Sequence, residues 1–175
     1  MYNAGKITTL ESVFPLLSVE DNCIISKQGD ITVGFKVTLP EIFTVGSMEY
    51  ESIHASWLKA VLLLPDYTIV HKQDWIIKEN YVPNVNQDDL TFLSKSFELH
   101  FNERPFVHHT CYLFLTKTSR EQMRRQSSFN SLVKGNIIPK EINGETKKRF
   151  LETVGQFQSI VNESGFIGLE LIHND

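Results

Sequence analysis

The polar and apolar positions between residues 23 and 39 follow the pattern of a β-hairpin. Residues 23–27 form a short apolar segment, and Gln28-Gly29-Asp30 after it has the composition of a tight turn. Five apolar residues then alternate with polar or small ones, and a period of two places all five on one face of a strand. These five residues are Ile31, Val33, Phe35, Val37 and Leu39. The pattern therefore predicts a hairpin that opens the fold.

Three later segments repeat their apolar residues at steps of three and four, which predicts three helices. The first begins near Ser47 as N-cap and ends before Pro65, since the residue preceding a proline is disfavoured in the helical region. The second begins near Asn86 or Asp88 and ends near Pro105, and the third begins near Gly144 and ends where Gly165 suits a left-handed cap. Their apolar stripes are Tyr50, Ile53, Trp57, Val61 and Leu64; Leu90, Leu93, Phe97 and Phe101; and Phe150, Leu151, Val154, Phe157 and Val161.

The remaining strand candidates complete an α+β fold. Residues 67–77, 106–116 and 166–172 are rich in β-branched and aromatic residues, and 112–115 is apolar on both faces, which indicates a central strand. Pro15 restricts the apolar residues 13–17 to a sheet edge or a docked extended segment. The predicted order is β-β-α-β-α-β-α-β in a single domain over 1–175. It forms a mixed, largely antiparallel sheet with the opening hairpin and three helices packed on it.

The composition of the 175 residues is that of a globular protein, with 41% hydrophobic and 22% charged residues. No apolar run approaches the roughly 20 residues of a membrane-spanning helix, so we expect no membrane insertion by this chain. Two cysteines are too few for a disulfide scaffold. The first residues lead into no hydrophobic signal segment, and the expected location is the cytoplasm.

Charge is distributed unevenly along the chain, although the net charge is only −4. Residues 117–149 hold nine basic and three acidic residues, a net charge of +6 that leaves −10 for the rest. We expect a mobile basic loop at 119–143, because this polar stretch is longer than the connections of compact domains. The charge fits either a solvated loop or a surface that attracts a partner.

The sequence offers no convincing catalytic or metal-binding pattern. In the segment from Gly29 to Thr38, Phe35 separates the second glycine from Lys36, and the strand pattern contradicts a phosphate-binding loop. The ligand-type residues His100, His108, His109 and Cys111 lack the paired spacings of structural zinc sites. The sequence therefore predicts no catalytic residue, no cofactor and no metal, and the chain is not expected to be an enzyme by itself.

Four segments near the amino terminus resemble the opening of the TraG-type conjugation ATPases, the Bacteroides-type relatives of type IV secretion motors. They are residues 9–19, 22–27, 29–35 and 39–43. In that family the ATP-binding machinery lies in a larger carboxy-terminal portion, so the resemblance implies an amino-terminal fragment of a longer ATPase. It also implies docking to the membrane-embedded channel or to other subunits of the motor, at the inner face of the cytoplasmic membrane.

Three hypotheses about function follow. The first is a noncatalytic docking domain whose partner-binding residues include bases of the 117–149 segment: Arg120, Arg124, Arg125, Lys147 and Lys148. The alternative is a domain that contacts single-stranded DNA through the same basic residues, with an affinity that falls steeply as salt rises. A small metalloenzyme built around His108, His109 and Cys111 is the third.

Overall fold

A computed structural model describes residues 14–82, 91–102, 104–119 and 140–174 of the chain. These residues form six strands, three α-helices and a short 3-10 helix at Ile42–Thr44. In chain order they are β1 (Leu16–Glu20), β2 (Cys23–Ser26), β3 (Ile31–Thr38), α1 (Ser47–Leu63), β4 (Thr68–Asn80), α2 (Phe92–Asn102), β5 (Pro105–Lys117), α3 (Lys140–Glu163) and β6 (Gly168–Leu171).

The strands form one sheet in the order β1-β2-β3-β5-β4, and β6 also pairs with β3. The pairs β1–β2, β2–β3 and β3–β6 are antiparallel. The predicted α+β class, with a mostly antiparallel sheet and an opening hairpin, is confirmed. The central position of β5 is also confirmed, because it lies between β3 and β4.

The structure adds a strand, β1, that the predicted order lacks. It begins directly after Pro15 and pairs with β2 at the edge of the sheet. Its two-residue connection to β2, Asp21-Asn22, has positive φ angles of 50° and 59°. Positive φ at both positions is the geometry of a tight hairpin turn, and Asp and Asn tolerate it better than most residues.

The hydrophobic core lies between the sheet and α3. Ile31, Val33 and Phe35 of β3 are buried, with Phe35 completely inaccessible, as the period of two predicts. Val37 is half-buried, and Leu39, the last residue of the predicted face, lies beyond β3 and is 41% exposed. From α3, the stripe residues Phe150, Val154, Phe157 and Val161 are at most 3% exposed. Trp57 of α1 contacts Phe157 edge-to-face, with ring centroids 5.7 Å apart. The predicted stripe of the third helix is therefore confirmed as the main apolar surface under the sheet.

The ends of the helices refine the predictions. Helix α1 has Gly46 as its N-cap instead of Ser47, and the carboxylate of Glu49 accepts the Gly46 N–H at 2.7 Å. Tyr50, predicted on the apolar stripe of α1, is 69% exposed. Helix α3 begins at Lys140, so the end of the predicted basic loop is helical. Residues 120–139, the rest of that loop apart from Ser119, lie outside the described residues.

Contacts within the chain define two compact units. The first unit comprises the described residues of Met1–Lys72 and Tyr112–Asp175, and the second those of Gln73–Cys111. The sheet residues and helices of the core above belong to the first unit. The expectation of a single domain over residues 1–175 stays a prediction.

Among the described residues, no helix combines the length and the apolar character that crossing a bilayer takes.

Candidate interaction surface

The second unit exposes an unusual amount of apolar surface. Among its described residues Cys111 alone is buried, although the unit contains α2 and parts of two strands. Eleven large apolar side chains are between 43% and 86% exposed. They are Trp75, Ile76, Ile77, Val82, Phe92, Leu93, Phe97, Leu99, Phe101, Phe106 and Val107. Many large apolar side chains exposed within one small part of a globular protein mark a candidate site of interaction.

Helix α2 carries the aromatic part of this surface. Thr91 precedes the helix, and its hydroxyl oxygen accepts the backbone N–H of Ser94 at 3.3 Å, which caps the amino terminus. The predicted starting residues Asn86 and Asp88 lie outside the described residues. The apolar period that predicts α2 is present, but its members Leu93, Phe97 and Phe101 are 47% to 78% exposed.

A cluster of rings fixes α2 against the end of β4. The rings of Phe97 and Phe101 lie 4.6 Å apart, and the ring of Tyr81 lies 6.4 Å from that of Phe101. The Tyr81 hydroxyl donates a 2.6 Å hydrogen bond to the carboxylate of Glu98. This bond raises the pKa of Tyr81, because it stabilises the protonated phenol. The aromatic surface is therefore held in place by contacts within the second unit.

Two histidines of the predicted metal-ligand set, His108 and His109, are paired with carboxylates of β4. His109 Nε2 lies 2.8 Å from Asp74 Oδ1, and His108 Nδ1 lies 3.5 Å from Glu79 Oε2. Since neighbouring residues of a strand point to opposite faces, the two pairs lie on opposite faces of β4 and β5. Within the described part of the chain, no group of three or more potential metal ligands occurs.

The predicted partner-binding lysines differ in their surroundings. Lys147 is only 13% exposed, and its Nζ lies 2.7 Å from Asp21 Oδ2 and 3.2 Å from Glu20 Oε1. Burial lowers the pKa of Lys147, but the hydrogen bonds to Asp21 and Glu20 outweigh burial, and the pKa lies above its usual value. Lys148, in contrast, is exposed. Lys147 therefore ties α3 to the β1–β2 turn, and a role for Lys148 in partner binding stays a prediction.

The three predicted arginines, Arg120, Arg124 and Arg125, lie outside the described residues. The residue before them, Ser119, is 5% exposed and is held by the β2–β3 turn. Its backbone N–H donates to Asp30 Oδ1 at 2.9 Å, and its hydroxyl donates to the carbonyl of Gln28 at 2.5 Å. Ser119, near the start of the basic segment, is therefore held in place, and the carboxylate of Asp30 contributes to holding it.

Substitution Asp30→Ala is expected to destabilise the protein by about 1–3 kcal/mol, because it leaves the buried Ser119 N–H without its acceptor. Asp30→Asn is the matched control, since its amide oxygen can still accept that hydrogen bond. Urea unfolding of the three proteins measures the difference. Equal free energies of unfolding for Asp30→Ala and the wild type would show that the contact contributes nothing.

Sequence comparison gives one finding about relatives of this α+β protein. Residues 3–55 match a family described as "Domain of unknown function, B. Theta Gene description (DUF3875)". The described part of the matched segment contains β1, β2, β3 and the beginning of α1. No curated protein matches the chain. The match is consistent with a Bacteroides gene, and it overlaps the segments that carry the resemblance to conjugation ATPases.

The sequence pattern predicts a candidate site in the basic segment and does not predict one on the apolar surface of the second unit. A signal is nevertheless present, because Ile76-Ile77 and Phe106-Val107 put apolar residues on both faces of their strands. A strand with two apolar faces needs cover on both sides. In the second unit these side chains are 43% to 72% exposed.

Proposed function

We propose that this chain is a noncatalytic interaction domain of a conjugative DNA-transfer ATPase, and that it docks on a membrane-embedded component of the type IV secretion channel. The observation that carries the proposal is the exposure of eleven large apolar side chains in the second unit. Burying apolar side chains on a partner removes them from water, which favours association, so these side chains are a source of binding free energy.

The choice of partner rests on the resemblance of residues 9–43 to conjugation ATPases. A motor of that class works at the cytoplasmic face of the channel, and its amino-terminal domain is suited to hold it there. The family match over residues 3–55 is compatible with this assignment and carries no statement about activity. In this proposal ATP hydrolysis belongs to a different part of the longer protein.

The DNA-contacting alternative receives less support from the described residues. Of the two lysines in the predicted DNA-binding set that are described, Lys147 is engaged by Asp21 and Glu20. Breaking these contacts to free it for a phosphate would cost two ion pairs. Single-strand binding also relies on aromatic rings beside basic residues. The described helix α2 carries charges of both signs beside its aromatic residues, since it contains Glu98, which accepts the hydrogen bond of Tyr81, as well as Lys95.

Affinity capture tests the proposal. The purified chain, immobilised as bait, is incubated with detergent-solubilised membranes of cells that carry the conjugation genes, at low and at moderate salt. We expect capture of a channel component at both salt concentrations, since apolar burial depends only weakly on ionic strength. DNA capture that is lost at moderate salt and in Arg124→Glu/Arg125→Glu would favour the alternative instead.

The same preparation also tests the noncatalytic assignment. We expect the isolated chain to hydrolyse no ATP, because it contains no P-loop. ATP turnover by the pure chain that disappears in Lys36→Ala would contradict the proposal.

A further inference from the structure

Strand β4 ends the sheet within the described part of the chain, and its outer edge is a template for another strand. It is the last strand in the order β1-β2-β3-β5-β4 and has 13 residues. Edge strands expose a row of backbone donors and acceptors, and natural proteins usually shorten or cover them. Such a long edge strand is therefore a ready site for strand addition.

The part of β4 in the second unit needs such cover most. The described strand residues of that unit are 73–80 of β4 and 105–111 of β5, which form a two-stranded ribbon. Two-stranded ribbons are marginally stable in water unless a third strand or a helix packs on them. The contacts of α2 with Tyr81 lie just beyond the end of β4, past the apolar residues of the ribbon. Trp75, Ile76 and Ile77 of this ribbon are 50%, 72% and 43% exposed. The ribbon is thus apolar on both faces at its outer strand.

We propose that a second copy of this chain pairs its own β4 with this edge, antiparallel and centred on Ile76. In that register Ile76 lies opposite Ile76 of the second copy. Trp75 lies opposite Ile77, and Asp74 lies opposite Lys78 of the second copy. The Trp75–Ile77 and Asp74–Lys78 pairs each occur twice and the Ile76 pair occurs once, because a two-fold axis at Ile76 relates the chains and closes the assembly at a dimer.

Charge complementarity selects this register. Opposite charges and aromatic–β-branched pairs each contribute roughly 0.2–1 kcal/mol when they lie directly opposite in an antiparallel sheet. The neighbouring registers that a two-fold axis allows are shifted by two residues, and they place Asp74 opposite Ile76 or opposite Asn80, with no opposite charge to pair with. The contact of Asp74 with His109 is compatible with the pairing, since a carboxylate accepts several hydrogen bonds.

This inference goes beyond the proposed docking function and does not depend on it. Self-pairing uses the backbone edge of β4 and three of the eleven exposed side chains, Trp75, Ile76 and Ile77, whereas the docking variant Phe92→Asp tests the aromatic surface of α2. Each can therefore fail while the other holds.

Disulfide trapping in the full chain tests the register. Ile76→Cys places two thiols opposite each other at a Cα separation of about 4.5–5.5 Å, within the range of a disulfide. Ile69→Cys is the matched control on the same strand, at an exposed position. In the proposed register the two copies of residue 69 lie fourteen residues apart, about 46 Å. The native thiols, Cys23 and Cys111, are buried and 1% and 3% exposed, and burial raises the pKa of Cys23.

Under mild oxidation we expect Ile76→Cys to form a disulfide-linked dimer and Ile69→Cys to form no disulfide between the two copies. Sedimentation of the wild type is expected to show a dimer at micromolar concentrations, and Ile76→Asp is expected to weaken dimerisation at least tenfold. The 72% exposure of Ile76 keeps this variant folded, which circular dichroism checks. A monomeric wild type, equal cross-linking from both cysteine variants, or a dimer unaffected by Ile76→Asp would overturn the inference. Sedimentation of Phe92→Asp, which alters α2 and leaves the β4 edge intact, then reports on self-pairing separately from docking.

Discussion

Replacing Phe157 by alanine is expected to remove about 3–5 kcal/mol of stability, a large share of the roughly 5–15 kcal/mol that holds a typical domain folded. Phe157 is completely inaccessible and lies in the cluster formed by α3 and the sheet. Its ring also supports Trp57 through an edge-to-face contact. The substitution therefore removes apolar burial and leaves a cavity that the neighbouring rings and strands cannot fill without moving.

Urea unfolding followed by tryptophan fluorescence measures this effect, because Trp57 contacts the substituted ring. Phe97→Ala is the matched control, since it removes the same atoms from a side chain that is 62% exposed. We expect the control to lose less than about 1 kcal/mol, as exposed positions usually do. Equal losses in the two variants would contradict the assignment of Phe157 to the core and Phe97 to the surface.

Replacing Phe92 by aspartate is expected to weaken capture of the channel component at least 30-fold, which corresponds to about 2 kcal/mol of binding free energy. Phe92 is 86% exposed at the start of α2, so the substitution costs little in the free protein. In the complex it would place a charge in a desolvated apolar interface. The expected loss therefore appears in binding and not in stability.

Phe43→Asp is the matched control for this prediction. Phe43 is also 86% exposed, but it belongs to the first unit. We expect Phe43→Asp to capture the channel component as well as the wild type does, and both variants to retain the wild-type free energy of unfolding. Equal loss of capture in both variants would indicate nonspecific hydrophobic association and not binding through a defined surface.

The sequence predicts the core elements well because periodicity reports burial directly. Alternation over residues 31–39 predicts the buried face of β3, and steps of three and four over residues 150–161 predict the buried face of α3. Strand β1 is harder to predict, since it follows Pro15 and its residues are half-buried or exposed. Its pairing depends on the Asp21-Asn22 turn, whose positive φ angles the composition only suggests.

The candidate surface could be predicted only in part, because an apolar stripe looks the same whether it faces a core or a partner. The stripes of α2 and α3 have similar periodicity, yet Phe97 is 62% exposed and Phe157 is inaccessible. The residues that bury Phe157, such as Trp57, are distant from it in sequence, so the periodicity of the helix does not reveal them. In the same way, the sequence around Lys147 does not predict its ion pairs with Glu20 and Asp21, which are more than a hundred residues away.

Site-specific photo-cross-linking in conjugating cells tests the central claim, docking through the apolar surface of the second unit, most directly. In the natural protein a photoreactive phenylalanine analogue replaces Phe92. In the control it replaces Phe43, which is equally exposed. Docking through this surface predicts that irradiation links position 92 to a membrane-embedded channel component and leaves position 43 without that adduct. The same adduct from both positions, an adduct of position 92 with DNA, or no protein adduct from position 92 would contradict it.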